Sequence, residues 1–286
     1  MGATVNAHGI KPGRIVAVVA LAIGLVLSLP APGNAGDAIG WVVECPLSHR
    51  LQDDPIVYPN EPGAAHLHEF FGNVTTDATS TYGSLRDAGT TCSFRRDTSA
   101  YWTPALSIDG AIVAPNDFDF YYITITSPHE RVRAFPRGLR VIAGDAHATE
   151  EQPRGVVQWT CDGSDSDPLT RPPDDCGGRD LVARVKFPDC WDGERLDSRN
   201  HRAHMAYSVE REGSEWHRCP RSHPVPVPKL IYRLQWPIQS GEGVELSSGP
   251  ARSLHADFFN SWDQRALRRL VRTCIQAGVN CGRVND

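Results

Sequence analysis

Residues 106–113 read LSIDGAIV, with Asp109-Gly110 between two apolar flanks. Asp-Gly accepts the positive φ that a two-residue hairpin turn demands, so this is the strongest short-range hairpin signal a sequence carries. Outward from it, short runs rich in β-branched and aromatic residues recur between turn residues: GWVVEC (40–45), YYITIT (121–126), GVVQWTC (155–161), LVARVKF (181–187), HMAYSV (204–209) and LIYRLQW (230–236). The pattern predicts a mostly β chain, a β-sandwich or jelly-roll-like single domain over residues 36–286. One segment, SWDQRALRRLVRTC (261–274), reads as a C-terminal helix. Ser261 and Gln264 have the spacing of a capping box. Leu267, Leu270, Val271 and Cys274 then share one face, while Arg265, Arg268, Arg269 and Arg272 form a solvated one.

The N-terminus sets Lys11 and Arg14 before an apolar run from Ile15 to Leu29, followed by Pro30 and the small-residue stretch GNAGDA. This order predicts a secretory signal peptide over residues 1–35, cut after Ala35. Fifteen apolar residues fall short of the roughly 20 that span a bilayer, so no stable membrane anchor is expected after cleavage. The remaining 251 residues carry 27 basic and 34 acidic side chains, a net charge of −7 with histidine neutral. Nucleic acid is therefore not an expected partner, because that binding needs net or dense positive charge.

Eight cysteines in an exported chain predict four disulfides, and sequence neighbours suggest Cys45–Cys92, Cys161–Cys176, Cys190–Cys219 and Cys274–Cys281. No C-x-x-C spacing points to a zinc-thiolate site. The acidic stretch between Cys161 and Cys176 lacks the glycine and terminal glutamate of a calcium loop and reads as a solvated loop stapled by its disulfide.

Three segments place histidine opposite their aliphatic side chains. In an extended AHLHEFFG (65–72), His66, His68 and Phe70 share a face; in RAHMAYSV (202–209), His204, Ala206 and Ser208 do; in LHADFF (254–259), His255, Asp257 and Phe259 do. If these strands join one sheet, the imidazoles converge on its open face. His66 and His68 with His204 as third imidazole would suit zinc or copper, and Asp257 would be a fourth ligand, a supporting partner or a base. Without metal, the same histidines suit acid/base work. The expected catalytic set is thus His66, His68, His204, His255 and Asp257. His201 points away from His204 on a regular strand and is held in reserve. His68-Glu69 and His129-Glu130 begin like the H-E-x-x-H metalloprotease motif but lack its second histidine. Asp117 and Asp119 lie about 7 Å apart on one strand face, within the range of glycosidase carboxylates. Tyr101, Trp102, Trp191 and Tyr207 are expected to contact substrate, with Trp262 a weaker candidate for stacking on sugar rings.

The segments PIVYPNEPGAAHLHEFFGN, TTCSFRRDTSAYWTPAL, FPDCWDGERLDSRNHRAHMAY, HPVPVPKL and LHADFFNSWD occur in this order. Together they resemble the secreted family labelled domain of unknown function nineteen ninety-six, from about Trp41 to Cys281. The resemblance implies an extracellular protein of the kind found in fungi and bacteria, and implies no activity. Its matching positions are His66, His68, Tyr101, Trp102, Trp191, Asp192, Asp197, His201, His204, His223, His255 and Asp257; Ser261 replaces the glycine usual before the last tryptophan.

These readings lead to an extracellular protein acting on a polysaccharide or cell-wall polymer, as a hydrolase or lyase, through a histidine-rich and metal-binding site. A non-catalytic carbohydrate-binding or wall-associated protein is the main alternative, and a metal scavenger a third. Depth separates the first two, since an enzyme needs a cleft with converging histidines and a binding module a shallow aromatic platform.

Overall fold

The computed structural model describes residues 1, 2, 4, 38–127, 131–161 and 168–286. The expected signal peptide thus lies almost wholly outside the described residues, as do His129-Glu130 and the middle of the acidic loop. The 109–110 turn forms as its sequence predicts: Asp109 takes φ 50° and Gly110 φ 78°, joining strands Leu106–Ile108 and Ala111–Ile112.

Two larger sheets make the body. The six-stranded sheet runs Asn280–Arg283, Gly40–Glu44, Asp117–Ile123, Lys229–Trp236, Leu181–Lys186, Val157–Cys161, antiparallel except for its first pair. The five-stranded sheet is antiparallel throughout, in the order Leu47–Leu51, His68–Gly72, Ala100–Pro104, His255–Phe259, Arg140–Gly144. Period-2 alternation sends Leu230, Tyr232, Leu234 and Trp236 inward from the first sheet, and Phe71, Tyr101 and Phe258 inward from the second. The rings meet between the layers, Tyr101 4.4 Å from Phe120 and 5.7 Å from Tyr232. This is a β-sandwich.

The second sheet is covered on its other face as well. Phe70, Ala100, Trp102, Ile142 and Phe259 pack there under Ile56 and Leu85 as a second, smaller core. That cover comes from irregular chain around residues 52–66 and the short helix Tyr82–Arg86. The outer face of the six-stranded sheet keeps partly exposed side chains, among them Tyr121, Ile123 and Ile231.

All four expected disulfides are present. The C-terminal helix spans Gln264–Leu270 and continues as a π-helical turn over Val271–Ile275. Its cap differs from the expected Ser261. Asp263 Oδ1 accepts from the amides of Arg265 and Ala266 at 3.0 and 2.8 Å, while the buried Ser261 donates to the Thr98 carbonyl at 2.7 Å. HMAYSV shrinks to the two-residue strand Met205–Ala206, leaving His204 in the preceding turn. Among the described residues, no helix is long and apolar enough to cross a membrane.

Candidate functional site

The register of the five-stranded sheet assembles the site. Trp102 pairs with Phe70 on one side and Asp257 on the other, so the strands bearing His68 and His255 flank a common neighbour. His255 stands opposite Gly144, whose φ of 77° favours glycine. A Cβ at Gly144 would sit 2.5 Å from the Leu254 carbonyl oxygen and 3.3 Å from the His255 Cβ. His66 precedes the strand yet leans back over it.

Three imidazoles meet here. The His66 ring centroid lies 4.2 Å from that of His68 and 5.0 Å from that of His255, and His68 and His255 are 5.8 Å apart. Each offers a ring nitrogen within 4.8 Å of the other two. Two of the three have their tautomers fixed by the backbone. His68 Nδ1 lies 2.9 Å from the Asp53 carbonyl oxygen and His255 Nδ1 2.9 Å from that of Ser253. A carbonyl can only accept, so both Nδ1 atoms carry hydrogen and both Nε2 atoms present a lone pair. That is the arrangement by which ligating histidines are oriented. His66 Nε2 and His68 Nε2 are buried and make no hydrogen bond.

The carboxylates continue the theme. Asp257 is 1% exposed, with neither oxygen hydrogen-bonded and Oδ2 3.9 Å from His255 Nε2. Asp54, His68 and Asp257 form a second, overlapping set of potential ligands. Burial, reinforced by Asp54, holds the Asp257 carboxyl well above the carboxylate range. Burial drives the imidazoles the opposite way: His66 falls to about 4, His255 to about 3, and His68 well below its ordinary value. At neutral pH the cluster is a set of uncharged imidazoles with unpaired lone pairs, the form in which histidine binds metal.

Above the cluster opens a pocket of about 220 Å³ whose lining includes Asp54, Tyr58, Asp145, His147, Asn200, His201 and Arg202. His201 takes φ 56°, an uncommon conformation for a residue with a Cβ. Its Nδ1 donates to both oxygens of Asp197 at 3.0 and 3.1 Å. Arg140 Nη1, 3.4 Å from Asp197 Oδ2, balances that carboxylate.

His204 does not join the cluster. Its Nε2 donates to the Arg140 carbonyl at 2.6 Å and its Nδ1 meets Ser198 Oγ at 3.0 Å, so both nitrogens are spent and it ties two loops together. His255 supplies the third imidazole in its place. Nor is the site on an open sheet face, because chain 52–66 covers it. Tyr101 and Trp102 are fully buried, and Tyr101 donates to Asp97, so neither can form a stacking platform; Trp262 is buried too. Trp191 donates Nε1 to the Arg195 carbonyl at 2.6 Å, outside the pocket. Tyr207 lines a different pocket, on the other sheet. Asp117 and Asp119 are paired with Arg233 and Arg283. Asp54 and His147 had no pattern to betray them, and the signal for His201 was its match to the family segment.

A family model described as a domain of unknown function (DUF1996) matches residues 54–262. The chain belongs to the DUF1996 family. The matched span encloses Asp54, His66, His68, Asp197, His201, His255 and Asp257, but stops short of both Trp41 and the Cys274–Cys281 bridge. No curated protein and no solved structure matches the chain. Four disulfides agree with an extracellular DUF1996 protein, since such bonds persist in oxidising surroundings.

Proposed function

We propose that this secreted protein is a metal-assisted hydrolase or lyase of an extracellular polysaccharide or cell-wall polymer. The observation that carries the reading is the convergence of His66, His68 and His255, of which His66 and His255 line a pocket and His68 lies buried behind them, with the Nε2 lone pairs of His68 and His255 fixed by backbone carbonyls. Neutral imidazoles suit zinc or copper, and the unpaired oxygens of Asp257 are available as a further ligand or a partner to one. Such an ion supplies Lewis acidity to a substrate oxygen. The chain's own contribution to proton transfer is His201, oriented by Asp197 with its second nitrogen left for the pocket, as an acid or base should be. The acids, amide, tyrosine and Arg202 of the lining can pair with the hydroxyls of a saccharide. A concave pocket reached by converging histidines, with Trp102 and Trp262 buried in the core, favours an enzyme over a binding platform.

The test is elemental analysis of the untagged secreted protein beside His66→Ala, His68→Ala, His255→Ala and His204→Ala. We expect one equivalent of zinc or copper, lost in the first three variants and retained in the fourth. Absence of metal from the wild type after reconstitution would remove the metal reading. The loaded protein is then screened on plant, fungal and bacterial polysaccharides with His68→Ala as blank; equal product from both would remove the catalytic one.

A further inference from the structure

A larger pocket, of about 620 Å³, lies on the outer face of the six-stranded sheet, on the opposite side of the sandwich from the histidines. Its floor follows from strand alternation. Tyr121 and Ile123 point outward from one strand, Ile231 from the next and Lys186 from the third, with Ile231 in register with both Tyr121 and Lys186. Ile125 and Val156 extend the apolar surface. The size and the mostly apolar lining match a small-molecule site.

Charge then selects the ligand. Although the chain is acidic overall, no aspartate or glutamate lines this pocket among the described residues, whereas Lys186, Lys229 and Arg184 do. Lys229 is balanced from beneath by the buried Asp189 at 3.4 Å and lies 5.3 Å over the Tyr207 ring. Among the described residues, the Lys186 ammonium makes one long contact, 3.4 Å, to the Arg154 carbonyl. Burial, with Lys229 and Arg184 close by, lowers the Lys186 ammonium to about 8, so a bound anion would relieve it. A sugar fits poorly, because Ile123, Ile125, Val156 and Ile231 would leave its hydroxyls unpaired.

We propose that this pocket is a second binding site, for a small organic carboxylate carried on an apolar body, with Lys186 pairing the anion and the isoleucines enclosing the body. The site stands independently of the histidine cluster. Calorimetric titration of the full secreted protein tests it with three probes: decanoate, decanol and glucuronate. Decanoate should bind one to one, decanol at least about tenfold more weakly, and glucuronate not detectably, since a charge-assisted contact is worth about one to two orders of magnitude in affinity. Lys186→Met should weaken decanoate by about tenfold, Lys186→Arg should retain it, and His68→Ala should leave it unchanged. Equal binding of decanoate and decanol, binding of glucuronate in preference to decanoate, or no binding of any probe to the wild type would each overturn the proposal. The comparison among probes needs only the wild-type protein, so it stands even where a variant does not fold.

Discussion

Replacing His68 by leucine separates a metal ligand from a packing residue. His68 is fully buried, and its Nε2 has no partner within the protein. An orphaned buried polar atom costs about 1–3 kcal/mol, which leucine, of similar volume, relieves. Against this stands the loss of the Nδ1 hydrogen bond to the Asp53 carbonyl, which leaves that buried acceptor unpaired in turn at a similar cost of about 1–3 kcal/mol. The two offset, so the metal-free variant is expected within about 2 kcal/mol of the wild type in either direction, a change in Tm of at most about 8 °C for a domain of this size. Metal separates the two proteins. With zinc at a hundredfold excess over its Kd, the wild type gains about 2.7 kcal/mol, or about 5–10 °C, and the variant gains nothing. The assay is thermal unfolding followed by circular dichroism, in EDTA and in zinc. A variant melting more than about 8 °C below wild type in EDTA, with zinc moving both proteins alike, would refute the reasoning, because His68 would then be a satisfied core residue. The trade of stability for a binding site is the general expectation for functional positions.

Glu69, on the core side of the same strand, gives a pH signature. Burial pushes its carboxyl up to about 7 from 4.5 despite two hydrogen bonds from Arg50. The folded state then holds a proton that the unfolded state releases, so stability is fullest below about 4.5 and falls as pH rises to about 7, by about 3 kcal/mol. Denaturant titrations of Glu69→Gln across that window should lose this part of the slope, and an unchanged slope would count against it. Removing the Cys45–Cys92 bridge, which closes 47 residues, should cost about 4 kcal/mol, and removing Cys274–Cys281, which closes 7, about 2 kcal/mol; equal losses in urea unfolding would contradict the loop-entropy account. Asp263→Ala should cost about 1 kcal/mol of stability through loss of the helix cap, and no change in the urea midpoint would return the cap to another group.

The sandwich was legible because it rests on local chemistry. Asp109-Gly110 specifies its turn without help from the rest of the chain, and the alternation in LIYRLQW separates the core side chains from Ile231, Arg233 and Gln235 whatever the neighbouring strands are. The disulfides were legible because near neighbours in sequence closed on each other. The helix cap was misplaced because Ser261 and Asp263 both have cap chemistry, and only the buried contact of Ser261 with Thr98 decides between them. Tyr101 and Trp102, expected to contact substrate, lie in the core instead, because their polar neighbours Asp97, Ser99 and Thr103 are buried with them.

The exchange of His204 for His255 shows where periodicity stops. Alternation places His68 and His255 away from their aliphatic neighbours, whereas His66 and His204 lie outside the strands, and it is silent about what lies across the sheet. His255 faces Gly144, which leaves it room, and its Nδ1 turns back to the Ser253 carbonyl, freeing Nε2 for the cluster. His204 finds the Arg140 carbonyl and Ser198, which consume both nitrogens. Register and acceptor placement are non-local, so similar sequence patterns gave one member of the histidine cluster and one structural tie. The same non-locality put the histidines under cover and left the other sheet open. Chain 52–66 supplies both Ile56, which closes the small core, and His66, which completes the cluster. Burial and convergence therefore have a common source: the segment that covers this sheet also shields its imidazoles from water and keeps them neutral.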